Sequence, residues 1–336
     1  MKYLVTGGAG FIGSNIVREL LNRGENVRVL DNFATGKREN VFCFRDNKNF
    51  ELIEGDLRSF HTVRDAVREV DYILHQGALP SVPRSINDPI TTNDVNILGT
   101  LNILEAAREF DVKRIVYASS SSIYGDSEEL HKREDMFIQP LSPYALSKYT
   151  AERYCQIFTK IYNLESVCLR YFNVFGPNQD PYSQYSAVIP KFIKLISENK
   201  QPTIYGDGTQ SRDFTYVQNI VEANLLACAS PNAAGQVINI ACQTSTTLLE
   251  LVKMINDYLH KDVSPQFAEG RSGDVKHSLA SIEKAEDLLD YKVEVTFMDG
   301  LYKTINFLLN NKKKNAEPRN TSLHYVTPRQ ARNTQN

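Results

Sequence analysis

Paired cysteines are missing from this chain. Its five cysteines, Cys43, Cys155, Cys168, Cys228 and Cys242, form no CxxC pair and no cluster with histidine. That leaves no sequence basis for a zinc site or a metal centre. The scattered, odd set reads as reduced thiols that serve as small buried hydrophobes. An excess of one charge is missing too. Lys and Arg number 38, Asp and Glu 40, for a formal net charge of -2. No overall field therefore recruits nucleic acid or an anionic membrane. No apolar run approaches the roughly 18 residues of a membrane span. The apolar start is broken by Gly7, Gly8 and Gly10, unlike a signal peptide. The expectation is a cytoplasmic protein with no nucleic-acid or membrane partner. What is present is ordinary for a globular enzyme: 336 residues, 42% hydrophobic and 23% charged, enough for a sizeable core.

The first half alternates short apolar runs with amphipathic stretches. Strands are expected at 3–5, 27–30, 50–53, 72–74 and 114–118, and helices at 15–23, 62–69 and 96–110. This rhythm predicts an α/β, Rossmann-type doubly wound parallel sheet with helices on both faces. After residue 170 the pattern loosens. Residues 171–186 read as a long functional loop. Helices are expected at 187–198, 217–229, 247–259 and 281–289, with a strand at 237–240 among them. The expected organisation is a dinucleotide domain over 1–170 and a smaller C-terminal substrate lobe over 171–310, interleaved with the sheet. Residues 311–336 read as a disordered tail.

Thr6-Gly7-Gly8-Ala9-Gly10-Phe11-Ile12-Gly13 lies between the first strand and the first helix, with GxxGxxG spacing. Glycines permit a tight turn and close approach of backbone to a pyrophosphate, and the helix N-terminus favours its charge. Asp31 follows 18 residues after Gly13, at the end of the second strand. A carboxylate there accepts from ribose hydroxyls and repels a 2′-phosphate, which favours NAD over NADP. Lys37 and Arg38 read as solvated loop charges. Asp56 and Leu57 follow the third strand, where an acid can bond an adenine amino group.

Ser142-Pro143-Tyr144 opens a helix, with Ser142 suited to the N-cap and Pro143 to the first turn. Tyr144 and Lys148, four apart, share one face. An ammonium beside the phenol, together with oxidised nicotinamide, favours phenolate. The pair can then take a proton from a substrate hydroxyl. The strand at 114–118 runs into Ser119-Ser120-Ser121-Ser122, at the carboxyl edge where open α/β sheets bind ligands.

Together TGGAGFIG, Asp31-Asn32, SSSSIYG, SPYALSK and Arg170-Tyr171-Phe172-Asn173 resemble the extended short-chain dehydrogenase/reductase family over residues 1–310. Within it the chain is most similar to NAD-dependent UDP-sugar 4-epimerases, and in particular to bacterial UDP-N-acetylglucosamine 4-epimerases of surface-polysaccharide pathways. The stretches 79–85 and 271–278 carry that closer likeness. Ser211-Arg212-Asp213-Phe214 resembles the family's uridine-diphosphate contact.

The resemblance implies that Gly7, Gly10, Phe11, Ile12, Asp31, Asn32, Asp56, Leu57, Asn96, Tyr144, Lys148 and Tyr171 hold NAD. It implies that Tyr144, Lys148 and Ser120 are catalytic. Ser121 and Ser122 would face the sugar, Asn173, Arg212, Arg271 and Asp274 the nucleotide diphosphate. Ser278, seven positions after Arg271, would border the sugar pocket. A tyrosine there would fill space that a 2-acetamido group needs. Related dehydratases and decarboxylases place acids where this chain has Ser121 and Ser122, so neither chemistry has its acid or base. The loop Gly77-Ala78-Leu79-Pro80 departs from the family's commonest form.

The implied reaction is C4 inversion of a UDP-hexose through a transient 4-keto sugar, without net redox. A homodimer is implied as well, paired through the helices at 96–110 and 143–162. On the second, Ala151, Tyr154, Cys155, Phe158 and Ile161 make a wide apolar face. Three alternatives accompany this reading. A UDP-uronate or UDP-N-acetyluronate 4-epimerase would need a cation such as Arg84 or Lys191. An NAD-linked dehydrogenase would release NADH. A non-catalytic NAD-sensing regulator would bind NAD without turnover.

Overall fold

Seven short runs of β-branched and aliphatic residues line up as parallel strands in a computed structural model that describes residues 1–127, 129–181, 187–269 and 276–316. Side chains are described as far as residue 310. The strands are β1 (Lys2–Thr6), β2 (Asn26–Asp31), β3 (Phe50–Glu54), β4 (Tyr72–His75), β5 (Arg114–Ser120), β7 (Ser166–Tyr171) and β12 (Val237–Ile240), β6 being the short His131–Lys132 between them. Their order is β12-β7-β5-β4-β1-β2-β3. The order reverses at β1, as in a doubly wound nucleotide fold, which puts a crevice at the carboxyl ends of β1 and β4. β7 was not anticipated, because Ser166, Arg170 and a cysteine interrupt its aliphatic pattern.

The remaining strands are β8 (Val174–Phe175), β9 (Thr203–Tyr205), β10 (Ser211–Asp213), β11 (Thr215–Tyr216), β13 (Ser245–Thr247), β14 (Gln266–Ala268) and β15 (His277–Ala280). A second sheet, β13-β10-β15-β6, builds the smaller lobe. The helices are α1 (Phe11–Asn22), α2 (Glu39–Phe42), α3 (Phe60–Val67), α4 (Val82–Asn87), α5 (Pro89–Asn93), α6 (Gly99–Glu109), α7 (Pro143–Tyr162), α8 (Val188–Ser197), α9 (Val217–Ala229), α10 (Leu248–Leu259), α11 (Glu283–Leu289) and α12 (Phe297–Ala316).

Strand alternation splits the core in two. Leu4, Ile73, Ile115 and Tyr117 pack with α3, α6 and α7. Val5, Leu74, Val116 and Ala118 pack with α1 and α9 on the other face. A third cluster, with Phe175, Phe192, Phe214 and Phe297, fills the lobe. No helix among the described residues is long and apolar enough to cross a membrane.

Several expectations change here. α12 continues through Ala316, past residue 311 where a tail was expected; residues 317–336 lie outside the described residues. The helix expected at 96–110 starts instead as a single π turn, Asp94–Leu98, before α6. Cys43 is exposed, while the other four cysteines are buried. On α7, Ala151, Cys155 and Phe158 face the chain's own sheet, not outward. The outward apolar residues are Leu146 (52% exposed), Ile157 (43%) and Ile161 (63%), with Tyr162 (44%) at the helix end. Helical periodicity alone could not tell which of the two apolar stripes faces inward.

Candidate active site

The glycine turn is built so that only glycine fits at two points. Gly7 has φ +65, and a Cβ on it would lie 2.7 Å from Gly77 Cα. A Cβ on Gly13 would lie 2.3 Å from Gly7 O. Gly10 is the N-cap of α1 and offers no side-chain cap, so the first N–H groups of α1, at Phe11 and Ile12, are left to a ligand. Asp31 is locked against this turn: Oδ2 accepts from Ala9 N at 2.9 Å and Oδ1 from Phe33 N at 2.8 Å. Burial raises its pKa and these two bonds pull it back. Each carboxylate oxygen keeps further acceptor capacity for a ribose hydroxyl. A glycine-only turn at a helix start with an oriented carboxylate beside it fits a dinucleotide.

The two nearby cations are solvent-exposed, and each has a carboxylate partner. Lys37 Nζ lies 3.1 Å from Asp180. Arg38 bonds Glu54 at 2.6 Å and lies 4.0 Å from the Phe33 ring centroid. Asn32 Nδ2 donates to Asp56 Oδ2 at 2.9 Å. Asp56 also accepts from Arg58, which holds its carboxyl down at about 2. Leu57 is buried and fits against the Cα faces of Gly77 and Gly99.

Asn96 does not project freely into the crevice. From the π turn its Oδ1 accepts from Leu79 N at 2.7 Å, and its Nδ2 donates to Leu79 O at 3.2 Å and Ser147 Oγ at 3.0 Å. It thus clamps the unusual loop 77–80 to α7. Tyr171 OH likewise bonds Asn224 and Gln76, at 2.8 to 3.3 Å. His75 was not anticipated. It links Thr6 Oγ1 (2.6 Å) to Thr100 Oγ1 (3.0 Å), and Thr6 Oγ1 accepts from Gly77 N at 3.1 Å. Burial, then the charge of Lys148, pulls its pKa down to about 3, so it stays neutral. Its place at the end of β4, opposite the glycine turn, was the available signal.

Ser142 caps α7, accepting from Ala145 N at 3.1 Å. Four residues apart on this helix, Tyr144 and Lys148 reach the end of β5. Lys148 Nζ donates to Ala118 O at 2.8 Å and lies 5.1 Å from the Tyr117 ring centroid. Burial pulls Lys148 down to about 8. Burial raises the Tyr144 phenol, and a hydrogen bond with Ser120 opposes the rise. The phenolate expected from the Tyr–Lys pair calls for oxidised nicotinamide beside the ring as well. Ser120 Oγ lies 2.9 Å from Ser122 Oγ and accepts from Ser122 N at 3.2 Å. Ser121 opens the 3-10 turn that follows β5.

On the lobe side, Arg212 and Ser278 are register partners in β10 and β15. Arg212 Nη1 donates to Ser211 O at 2.9 Å and Lys276 O at 3.2 Å. Asn173, at φ +36, donates from Nδ2 to Asp213 O at 3.1 Å. Asp213 lies beneath, accepting from Cys242 N at 3.0 Å, with burial raising its carboxyl to about 6. Arg271 and Asp274 lie outside the described residues. The glycine turn, Asp31, the 77–80 loop, Ser120, Tyr144 and Lys148 all collect at the carboxyl edge of the main sheet.

Known proteins are similar to this chain in sequence and fold. The pattern of the NAD dependent epimerase/dehydratase family matches residues 3–241. The chain is 37% identical over 312 residues to the putative UDP-glucose 4-epimerase of Methanocaldococcus jannaschii, covering 92% of this chain and 99% of the relative. Its fold superposes on the UDP-N-acetylglucosamine 4-epimerase of Methanobrevibacter ruminantium, solved with UDP-N-acetylmuramic acid, with TM-score 0.88 and 39% identity over 92% of this chain and 98% of the other. It is also similar to the UDP-glucuronic acid 4-epimerase of Bacillus cereus, solved with UDP-glucuronic acid and NAD: TM-score 0.86, 33% identity, 93% and 100% coverage. The chain belongs to the NAD dependent epimerase/dehydratase family, and NAD is its cofactor.

Proposed function

We propose that the chain is an NAD-dependent UDP-hexose 4-epimerase, an isomerase, that interconverts UDP-N-acetylglucosamine and UDP-N-acetylgalactosamine and also accepts the unacetylated pair. The observation that carries the substrate reading is the register of Ser278 with Arg212. A small hydroxyl beside the diphosphate arginine leaves room for a 2-acetamido group. Residues 1–170 serve mainly the cofactor and 171–310 mainly the sugar nucleotide.

Bound NAD supplies the hydride acceptor and, on return, the donor. The chain's own residues do the rest. Gly7, Gly10, Phe11 and Ile12 receive the pyrophosphate, and Asp31, Asn32, Asp56 and Leu57 the adenosine. Asn96 acts through the loop it clamps, and Tyr171 through the Gln76–Asn224 network. Tyr144 takes the proton of the sugar 4-hydroxyl and gives it back after the 4-keto sugar has turned over. Ser120 orients the phenol, and Lys148 puts a positive charge beside it. Arg212, Asn173, Arg271 and Asp274 grip the diphosphate, a bidentate task suited to arginine. Ser121 and Ser122 surround the hexose loosely enough for it to rotate. The outward residues Leu146, Ile157 and Ile161 pair two copies into a homodimer.

Incubation of the purified protein with a panel of UDP-hexoses, followed by separation of C4 epimers, tests the reading. The likeness to the Bacillus cereus enzyme supports one alternative, a UDP-uronate 4-epimerase using Arg84 in α4 or Lys191 in α8. Epimerisation of UDP-glucuronate alone would select it.

A further inference from the structure

α7 presents Tyr144, Lys148 and Glu152 at four-residue spacing, so all three share one face. Each meets a different one of the last three residues of β5. Tyr144 comes within reach of Ser120, whose hydroxyl opposes the rise that burial imposes on the phenol. Lys148 Nζ donates to Ala118 O at 2.8 Å, and Ser119 Oγ donates to Glu152 Oε2 at 2.7 Å. Glu152 is 1% exposed. It also takes a bidentate pair from Arg170, with Nε to Oε2 at 3.0 Å and Nη2 to Oε1 at 2.7 Å. Ser119 and Arg170 are themselves register partners in β5 and β7. One carboxylate therefore spans the seam between the two strands, two turns from the phenol. Arg170 is held in turn by Tyr124 OH at 2.8 Å, which donates to Asn239 Oδ1 at 2.7 Å.

The apolar contacts of α7, through Ala151, Cys155 and Phe158, are non-directional and tolerate small slides. A bidentate guanidinium–carboxylate pair admits one geometry. Burying such a pair is a weak route to stability, and setting a register is among its best attested uses. We propose that Glu152 is a positioning residue: through Ser119 and Arg170 it fixes α7 against the end of β5 and so sets the contact between Tyr144 and Ser120. Its catalytic consequence rests on the epimerase reading; the contact itself can be tested without substrate. The other ionisable groups nearby include Lys148 and Cys155 on α7, His75 from β4, Tyr117 from β5, Tyr124, Cys168 from β7, Lys284 from α11 and Glu134.

The experiment is a phenolate titration of the NAD-loaded protein by ultraviolet absorbance. Each background is measured with and without Tyr144→Phe, so the difference isolates that ring. Ser119→Ala keeps the ion pair, and Glu152→Gln removes its charge. In both, the Tyr144 midpoint should rise by about one pKa unit, equivalent to about tenfold less phenolate at a fixed lower pH. The kcat for a UDP-hexose should fall by about the same factor, with KM held within about twofold. An unchanged midpoint in a folded Ser119→Ala protein overturns the proposal, whatever Glu152→Gln does to folding. If the unmutated enzyme turns over no UDP-sugar, the functional reading fails while the titration still decides the role of Glu152.

Discussion

Arg212 and Ser278 lie directly opposite each other on adjacent parallel strands, so their side chains leave the same face of the lobe sheet. A change in size at Ser278 should therefore be felt where the diphosphate arginine delivers the sugar. Ser278→Tyr should lower kcat/KM for UDP-N-acetylglucosamine by at least about tenfold while sparing UDP-glucose within about threefold. Such selectivity follows from building a clash against one substrate alone. Equal losses on both substrates would detach Ser278 from the acetamido group.

Asp31 is oriented by N–H groups from Ala9 and Phe33, and Lys37 is engaged by Asp180. Both cations of this loop thus have carboxylate partners already, Lys37 with Asp180 and Arg38 with Glu54. Asp31→Ala should weaken NAD by at least about tenfold, the scale of one charge-assisted hydrogen bond of about 1.5–3 kcal/mol. It should also narrow the gap to NADP. Equilibrium dialysis of both cofactors against both proteins reads this. Equal affinities in the unmutated protein would contradict the role given to Asp31.

Much of this edge was legible in the sequence because glycines, an acid and a capped Tyr–Lys helix each have one physical use at their positions. The parts that were not legible depend on partners distant in the chain. Asn96 was picked out as a cofactor residue, but its bonds to Leu79 and Ser147 could not be read from the chain. His75 carried no motif, and its meaning comes from Thr6 and Thr100. The apolar pattern of α7 was visible, but its outward stripe emerged only once Ala151, Cys155 and Phe158 had found the sheet. α12 was missed because its polar end blends into the residues that follow.

That outward stripe leads to a prediction about assembly. Leu146, Ile157 and Ile161 are apolar, exposed and on one helix. Ile157→Glu combined with Ile161→Glu should convert a dimer to a monomer in sedimentation at micromolar concentration, because an interface core tolerates unpaired charge poorly. A monomeric unmutated protein would remove the basis for pairing through α7.

Lys148 supplies a prediction about the cost of function. Its pKa is drawn from 10.5 to about 8 by burial. The folded protein thus binds the proton less tightly than the unfolded chain does. Stability should rise with pH between about 8 and 10.5 as the ammonium neutralises. At neutral pH the buried charge costs on the order of 3 kcal/mol. Lys148→Met removes that cost and the bond to Ala118 O, worth about 1.5–3 kcal/mol. Its Tm at neutral pH should stay near that of the unmutated protein, and its stability should lose the rise above pH 8, while turnover falls by at least about 100-fold. A large loss of Tm would mean that the ammonium serves the fold first.

The most direct test takes UDP-N-acetylglucosamine, the NAD-loaded protein and its Tyr144→Phe variant, and separates C4 epimers while following NADH absorbance. The unmutated protein should form UDP-N-acetylgalactosamine with no net NADH. The variant should bind the nucleotide sugar but turn it over at least about 100-fold more slowly, the lower end for loss of a general acid–base group. Stoichiometric NADH release, or near-normal epimerisation by the variant, would contradict proton transfer through Tyr144 in a redox-neutral epimerase.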